Sequence, residues 1–303
     1  MTLTTARALA AGALLLGAPA LAGGTASPAP PASPAVDFST LPASAVHRPT
    51  NLDGKPHQVE MKVVADRTAL RPGDTVRLGL HLQQDPGWHT YWKSNTEIGK
   101  PTDITWKLSG AEGGTYEYAI PQRFELEGIV SFGYDKEAFF FTEVTIPADV
   151  KPGKMELGAE ATWLTCEAEC IPGQGAVSLP IQVLPSDAPP PAATPYAALF
   201  EHFSAQHPAT GLQGVAITAD IQPSPLEWDK PFTVKMHIAA EEGHTLGRHQ
   251  GDIPWPTFVP ITSQEAWFLD NTQVTNNDDG SIDIVMNAET FTVDNVPVNE
   301  VVG

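Results

Sequence analysis

Hydrophobic and polar residues alternate along most of the chain from His57 onward, which is the pattern of strands with one buried face. The alternation is regular from Val76 to Leu82, where aliphatic residues are separated by Arg77, Gly79 and His81. Turn signals divide about seven such runs, so residues 57–185 are predicted to form an antiparallel β-sandwich. The other predicted strands of this region contain Val59–Val63, Ile104–Leu108, Tyr116–Ile120, Phe139–Ile146, Met155–Ala161 and Val177–Val183.

A proline-rich segment follows this region, and we interpret residues 186–211 as a linker. Thr194 and Pro195 are typical of a helix start. The short helix predicted there is expected to pack between two domains, through a face made of Tyr196, Leu199 and Phe203.

Period-two alternation resumes near Gly214, and residues 212–303 are predicted to form a second, smaller β-sandwich. Asp278–Gly280 is a hairpin signal between two alternating runs. The strand pattern of Val296–Gly303 stops at the last residue, so the second sandwich is predicted to be incomplete. A fragment of a longer protein and a naturally short chain both fit this pattern.

The first residues have the features of a secretory signal peptide. Arg7 precedes a short apolar run from Ala8 to Leu16, and a small-x-small site places cleavage near Ala22. Residues 23–56 are rich in Ala, Pro and Ser and are predicted to be a flexible leader, with ordered structure beginning near His57. The mature protein is therefore expected in the periplasm, where disulfide chemistry is permitted.

The charge balance excludes one class of partner. Asp and Glu number 36 against 17 Lys and Arg, which gives a formal net charge of −19. Because nucleic-acid binding depends on a positively charged surface, nucleic acid is not an expected partner. We interpret the acidity as a solubility feature.

The two cysteines of the chain, Cys166 and Cys170, are separated by three residues. Closing a loop of about five residues contributes only about 2 kcal/mol in the chain-entropy estimate, against about 4–5 kcal/mol for a loop of a hundred. So close a pair also favours strained, reducible geometry. The spacing therefore predicts thiol–disulfide chemistry, with Cys166 and Cys170 as its catalytic residues.

The residues next to the cysteines do not activate them. Glu167 and Glu169 place negative charge beside both sulfurs, which raises the pKa of a thiol and disfavours the reactive thiolate. The local sequence contains no Lys, Arg or His. We expect the pair to react well only within a complex, where the partner supplies a different environment.

Two other uses of the cysteines stay open. A structural disulfide could hold the end of a hairpin in a non-catalytic binding module. Two thiolates could also bind Cu(I), although no Met or His lies near them in sequence. His237, His244 and His249 do not have the spacing of a closed zinc site, and we predict no metal and no cofactor.

The segment from Trp163 to Gly173, Trp-Leu-Thr-Cys-Glu-Ala-Glu-Cys-Ile-Pro-Gly, resembles the active-site segment of the N-terminal periplasmic domain of thiol:disulfide interchange protein DsbD. It is most similar to the branch that includes the suppressor-of-copper-sensitivity reductases. Pro86–Trp92, Gly99–Thr102 and Gly128–Tyr134 support the resemblance, which covers about His57 to Pro185. It implies an immunoglobulin-like redox domain, with roles in cytochrome c biogenesis or copper tolerance.

The resemblance also implies roles for individual residues. The cysteine that matches Cys170 forms the mixed disulfide with partners, and the one that matches Cys166 resolves it. Phe132 and Tyr134 match an aromatic cap loop that shields the pair until a partner docks. Tyr91 and His89 match the aromatic residues that line the site, and His89 stands where a tyrosine is common. The aromatic cluster from Trp88 to Trp92 is interpreted either as a partner-docking surface, with Trp88 as part of it, or as core.

The partners implied by the resemblance act at the membrane and in the periplasm. A membrane-embedded thiol reductase donates electrons to the pair, and oxidised periplasmic proteins of the thioredoxin fold accept them. The predicted activity is therefore that of a protein-disulfide reductase component. Donor and acceptor are both expected to be separate chains, unless this chain is truncated.

Overall fold

The computed structural model describes residues 32–93, 99–126, 129–208, 213–227, 229–248, 266–268 and 273–290. A 3-10 turn at Ala43–Ala45 and an α-helix, α1, at Ala197–Ser204 accompany sixteen strands in this part of the chain. The strands are β1 (Val46–His47), β2 (Val59–Ala65), β3 (Thr75–Gln84), β4 (His89–Tyr91), β5 (Asp103–Lys107), β6 (Glu112–Gly113), β7 (Gln122–Leu126), β8 (Ile129–Asp135), β9 (Glu137–Thr145), β10 (Gly153–Cys166), β11 (Cys170–Val183), β12 (Val215–Gln222), β13 (Pro231–Ala240), β14 (Ala266–Phe268), β15 (Gln273–Asn276) and β16 (Ile282–Thr290).

The first eleven strands form two antiparallel sheets, which confirms the predicted all-β sandwich. One sheet has the order β1-β2-β3-β9-β6, and the other has the order β11-β10-β4-β8-β7 with β5 beside β10. Alternate residues of the strands point into a shared core because successive side chains of a strand face opposite ways. Leu80, Phe140, Leu157 and Trp163 are among its fully buried side chains.

Helix α1 covers the outer face of β9 rather than lying between two domains. Phe200 packs edge-to-face on Phe139 with ring centroids 5.0 Å apart, and Phe203 lies 5.2 Å from the same ring. The neighbouring strand permits this close packing, since a Cβ atom added at Gly79 would lie 2.3 Å from the Phe139 ring. Consecutive aromatic residues in β9 therefore face the sandwich core on one side and α1 on the other.

The predicted flexible leader is wrong for its described part. Ala45 is fully buried in the core, and β1 pairs in register with β2. Upstream, the Phe38 ring stacks on His81 and on Tyr196 of the α1 entry, with centroids 5.1 Å and 5.5 Å apart. The Ala- and Pro-rich composition suggested flexibility, but a few apolar side chains anchor this segment. Residues 1–31, with the predicted signal peptide, lie outside the described residues.

The second β region is described as one sheet with its own core. The strand order is β12-β13-β16-β14, and β15 pairs with β16 across the predicted turn at Asp278–Gly280. Ile238, Met286 and Ala288 are among the buried residues of this C-terminal sheet. A second layer, which a sandwich requires, is not among the described residues of this region. Val296–Gly303 also lies outside them.

Within the described residues, α1 is the single α-helix, and it is too short to cross a membrane.

Candidate functional site

A long hairpin presents the two cysteines at its tip. Strands β10 and β11 pair in an unbroken antiparallel register from Gly153↔Val183 to Cys166↔Cys170. Strand β11 lies at the edge of its sheet, where proline is tolerated because one side of the strand forms no hydrogen bonds with a neighbouring strand. It contains Pro172 and Pro180.

The predicted disulfide is present. It joins Cys166 and Cys170 across the last register pair, with the Cα atoms 4.1 Å apart. Glu167, Ala168 and Glu169 form the turn that connects the two strands.

The two sulfur-bearing residues differ in accessibility. Cys166 lies between β11 and β4 and is only 2% exposed. Cys170 lies on the edge strand and is exposed. A protein thiol can therefore approach Cys170 directly, whereas Cys166 is reached only through its neighbours.

Cross-strand pairing aligns four side chains around the disulfide in one row. Cys170 pairs with Cys166, Cys166 pairs with His89 of β4, and His89 pairs with Asp135 of β8. Directly opposed residues of an antiparallel sheet point to the same face, so all four side chains lie on the outer face of this sheet. Asp135 Oδ1 accepts a hydrogen bond of 2.7 Å from Gln122 Nε2.

Aromatic rings cover the imidazole of His89. Phe124 of β7 stacks on His89 with centroids 4.5 Å apart and planes 14° apart. Tyr91 approaches the same ring edge-on at 5.2 Å. The Tyr91 ring is itself buried beneath Gly99, where an added Cβ would lie 2.2 Å from the ring.

Trp163 supports the hairpin tip from the core side of the sheet. The side chain is fully buried, and the His57 ring meets it edge-on at 5.5 Å. Opposite it in register lies Gly173, where an added Cβ would lie 2.3 Å from the indole. The Trp163–Gly173 pair thus fixes the strand spacing just below the disulfide.

The fold changes the electrostatic setting expected from local sequence. Glu167 bends toward Gly87, where an added Cβ would lie 2.7 Å from its Oε1. The side chain of Asp53 raises the pKa of Lys55, and the charge of Glu169 adds to this effect, so a cation lies near the turn. Burial lowers the pKa of His89 despite the opposing charge of Asp135, and the imidazole is therefore neutral at pH 7. Burial also raises the pKa of Tyr91.

In the described part of the chain, no three or more His, Cys, Asp and Glu side chains are grouped to hold a metal ion.

Comparison with known proteins gives one family match. Residues 58–181 match the family described as "Thiol:disulfide interchange protein DsbD, N-terminal". The match includes both cysteines, His89 and the whole hairpin tip. This region, residues 58–181, belongs to the DsbD N-terminal family. No curated protein sequence matches it.

One solved structure is similar in fold over more of the chain than residues 58–181. The N-terminal periplasmic domain of ScsB from Proteus mirabilis superimposes with a TM-score of 0.53 at 21% identity, covering 81% of this chain and 85% of that chain. The sporulation control protein Spo0M from Bacillus subtilis gives a TM-score of 0.20 at 12% identity, covering 61% and 69%. A Porphyromonas gingivalis W83 protein of unknown function gives a TM-score of 0.20 at 8% identity, covering 76% and 83%.

The structure brings together part of the residue set predicted from the DsbD resemblance. Cys166, Cys170 and His89 share one row, and Tyr91 lies beside His89. Trp88 is partly exposed and lies just before β4, in a turn closed by its N–H donating to Asp85 O at 3.1 Å. Its docking role stays a prediction.

Phe132 and Tyr134 lie in strand β8 rather than in a loop. Both side chains belong to the sandwich core, and the Tyr134 hydroxyl donates to Ala119 O at 2.6 Å. Their alternation along β8 with Ser131 and Gly133 places them on the inner face. The loop location expected for these two residues is therefore corrected, and a shielding role for them stays a prediction.

Phe124 is the residue that sequence reasoning missed. It precedes the β7–β8 turn and stacks on the imidazole that pairs with Cys166. A single aromatic residue ahead of a hairpin turn is a weak signal, because the sequence does not show which strand lies beside it.

Proposed function

We propose that this chain is a periplasmic thiol–disulfide exchange protein that reduces disulfides of other proteins through Cys166 and Cys170. The observation that carries the proposal is the pairing of an exposed Cys170 with a buried Cys166 at a hairpin tip. The match of residues 58–181 to the DsbD N-terminal family supports the same activity. The predicted signal peptide supports the location.

The proposed exchange begins at the exposed sulfur. In the reduced protein, the Cys170 thiolate attacks one sulfur of an oxidised partner, and the other partner sulfur leaves as a thiolate. Cys166 then loses its proton and attacks Cys170, which restores the disulfide of this chain and releases the second partner sulfur. Two electrons pass to the partner, and the Cys166–Cys170 bond takes the place of the partner's bond.

The proposed donor is a membrane-embedded thiol reductase, and the proposed acceptors are thioredoxin-fold proteins. Both follow from the DsbD resemblance. The acidic flanks favour acceptors that meet this surface with neutral or basic residues, since like charges oppose docking.

Trapping of mixed disulfides tests this function. The Cys166→Ala variant, reduced and then mixed with oxidised thioredoxin, should accumulate a covalent complex through Cys170. The Cys170→Ala variant should form about tenfold less or none, because Cys166 is buried. The double variant controls for non-covalent association. The proposal would be contradicted if Cys166→Ala formed no covalent complex, or if Cys170→Ala formed more of it than Cys166→Ala.

A structural disulfide is the second candidate. One observation favours it, since the bond closes the end of a hairpin whose strands are paired along their whole length. In that case the protein is a binding module, and replacing both cysteines by Ala lowers stability without removing an activity. Cu(I) binding by the reduced pair stays a prediction.

A further inference from the structure

We infer that His89 is the general base that takes the proton from the Cys166 thiol during exchange, and that Asp135 holds its ring in position. This inference rests on the proposed function, because Cys166 must become a thiolate to resolve a mixed disulfide at Cys170. It assigns the proton transfer to residues that are separated in sequence and adjacent in the sheet.

The register supplies the first argument. His89 and Cys166 are directly opposed on β4 and β10, and the Cβ atoms of such a pair lie about 4.5–5.5 Å apart on one face. Side chains at that spacing reach each other. The Thr165 hydroxyl donates to His89 O at 3.0 Å and holds the two strands together at this point.

Burial supplies the second argument. Cys166 is 2% exposed, so solvent does not readily accept its proton, and a thiol held in apolar surroundings ionises poorly. The imidazole of His89 is covered by the Phe124 and Tyr91 rings. Because burial lowers its pKa, the ring is neutral at pH 7 and has a nitrogen free of the proton it would receive.

The third argument is the carboxylate on the opposite side of the imidazole. Asp135 pairs with His89 from β8, and its negative charge opposes the effect of burial on the ring. The Gln122 amide donates to Asp135 and restrains it. A carboxylate in this place stabilises the imidazolium that forms when His89 accepts a proton.

The groups around the ring come from several elements. Around His89, the described groups are Cys166 of β10, Asp135 of β8, Tyr91 of β4, and the uncharged Gln122 and Phe124 of β7. Glu167 of the β10–β11 turn lies beside Gly87, and Lys136 of the β8–β9 turn pairs with Asp135. The negative charge of Asp135 favours a protonated imidazole, and the Lys136 ammonium, which lies 3.9 Å from Asp135 Oδ2, partly offsets it. Proton transfer within the pair therefore creates opposite charges side by side instead of an unpaired anion.

The proposed step conserves charge and electrons. The proton of Cys166 moves to His89, the resulting thiolate attacks Cys170 of the mixed disulfide, and the bond from Cys170 to the partner sulfur breaks. The partner leaves as a thiolate with two electrons more than it brought. His89 then returns its proton to the partner thiolate or to water.

Rapid-quench kinetics test the inference with the full chain. The reduced protein is mixed with oxidised thioredoxin, and acid-quenched samples are analysed for the mixed disulfide. In His89→Gln, formation should stay near the wild-type rate and decay at pH 7 should slow by about a hundredfold. The gap should narrow as the pH rises above about 8.5, the ordinary pKa of a thiol, because a growing share of Cys166 then ionises without help.

Further variants keep the test decisive. His89→Tyr retains an aromatic ring, and Asp135→Asn retains the shape of the carboxylate; both should slow decay at pH 7. The control is His237→Gln, because His237 also pairs across strands with an aspartate: its Nδ1 lies 2.6 Å from Asp283 Oδ1 in the C-terminal sheet. The mixed disulfide of this variant should decay at the wild-type rate.

Unchanged decay and an unchanged pH profile in folded His89→Gln and His89→Tyr would overturn the role of His89. The exchange function would survive that result. Absence of any mixed disulfide, in wild type and in Cys166→Ala alike, would instead overturn the proposed function.

Discussion

Substitution of Gly173, near the hairpin tip, is expected to lower the stability of the fold. A side chain there would meet the buried indole of Trp163 from the facing position of the register. Trp163 in turn is held by His57 on its other side. The backbone just below the disulfide is therefore defined by contact between a glycine and a tryptophan, each three residues from the cysteine of its own strand.

Gly173→Ala is expected to destabilise the protein by about 1–3 kcal/mol, because the added methyl overpacks a filled site. Urea denaturation followed by tryptophan fluorescence measures the change. Gly247→Ala is the matched control, since nothing lies within 4 Å of an added Cβ there, and it should alter stability by less than about 0.5 kcal/mol. Equal effects of the two variants would contradict close packing of Gly173 on the indole.

One buried and two partly buried histidines predict a loss of stability on acidification. Burial lowers the pKa of His57, His89 and His207 in the folded protein. The unfolded chain therefore binds protons more readily, and stability falls as the pH drops below the ordinary value of 6.5 toward the lower folded values. The thermal midpoint should fall between pH 7.5 and pH 5.5, and His207→Gln should reduce the fall. A midpoint that is constant or rises over this range would contradict the prediction.

The sequence predicted the disulfide but not its surroundings. Cys166 and Cys170 lie close together in a recognisable sequence motif, so their pairing could be predicted. His89 was expected near the pair from a family resemblance, but its place opposite Cys166 depends on β4 lying beside β10. Strand order is set by long-range packing, and alternation along one strand carries no information on it. For the same reason, Lys55 near Glu169 was not foreseen.

Helix α1 shows how an amphipathic pattern can be correct while its location is wrong. The face expected from Tyr196, Leu199 and Phe203 is buried, but the helix seals one sheet of the sandwich rather than a gap between domains. The preceding linker is also bound to the sandwich domain, since the Thr68 N–H donates a hydrogen bond to Ala192 O at 2.9 Å. Proline-rich composition indicates an irregular segment and does not show whether that segment is free.

Phe200→Ala should destabilise the protein by about 3–5 kcal/mol, because the side chain is fully buried between Phe139 and Phe141. Glu201→Ala on the same helix is the control. Its ion pair with Arg77 spans 2.7 Å but the glutamate is 72% exposed, so its loss should cost less than about 1 kcal/mol. Chemical denaturation of both variants measures the difference, and a similar loss in both would show that α1 does not pack on β9.

The described residues divide into two separate cores, one in the sandwich and one in the C-terminal sheet. Each described group around the disulfide, from Lys55 to Glu169, belongs to the sandwich or its turns. All-β architecture was predictable because period-two alternation recurs through both regions. The layer arrangement of the second region was not, since one sheet and two sheets give the same alternation along each strand.

Ile238→Ala should separate stability of the C-terminal sheet from the exchange chemistry. The residue is fully buried in that sheet, and its truncation should cost about 2–5 kcal/mol. Trapping of thioredoxin by Cys166→Ala should continue when Ile238→Ala is added, at a temperature where the double variant is folded. A parallel loss of trapping would show that the C-terminal sheet takes part in exchange.

Redox titration of the cysteine pair tests the central claim most directly. The intact protein is equilibrated in thiol–disulfide buffers of decreasing potential, and its free thiols are counted after alkylation. The disulfide of an exchange protein should have a midpoint potential above about −300 mV, so that the thiol pools that drive such reactions can reduce it. A Cys166–Cys170 bond that stays oxidised well below about −300 mV would instead be a structural crosslink, and electron transfer through this pair would be ruled out.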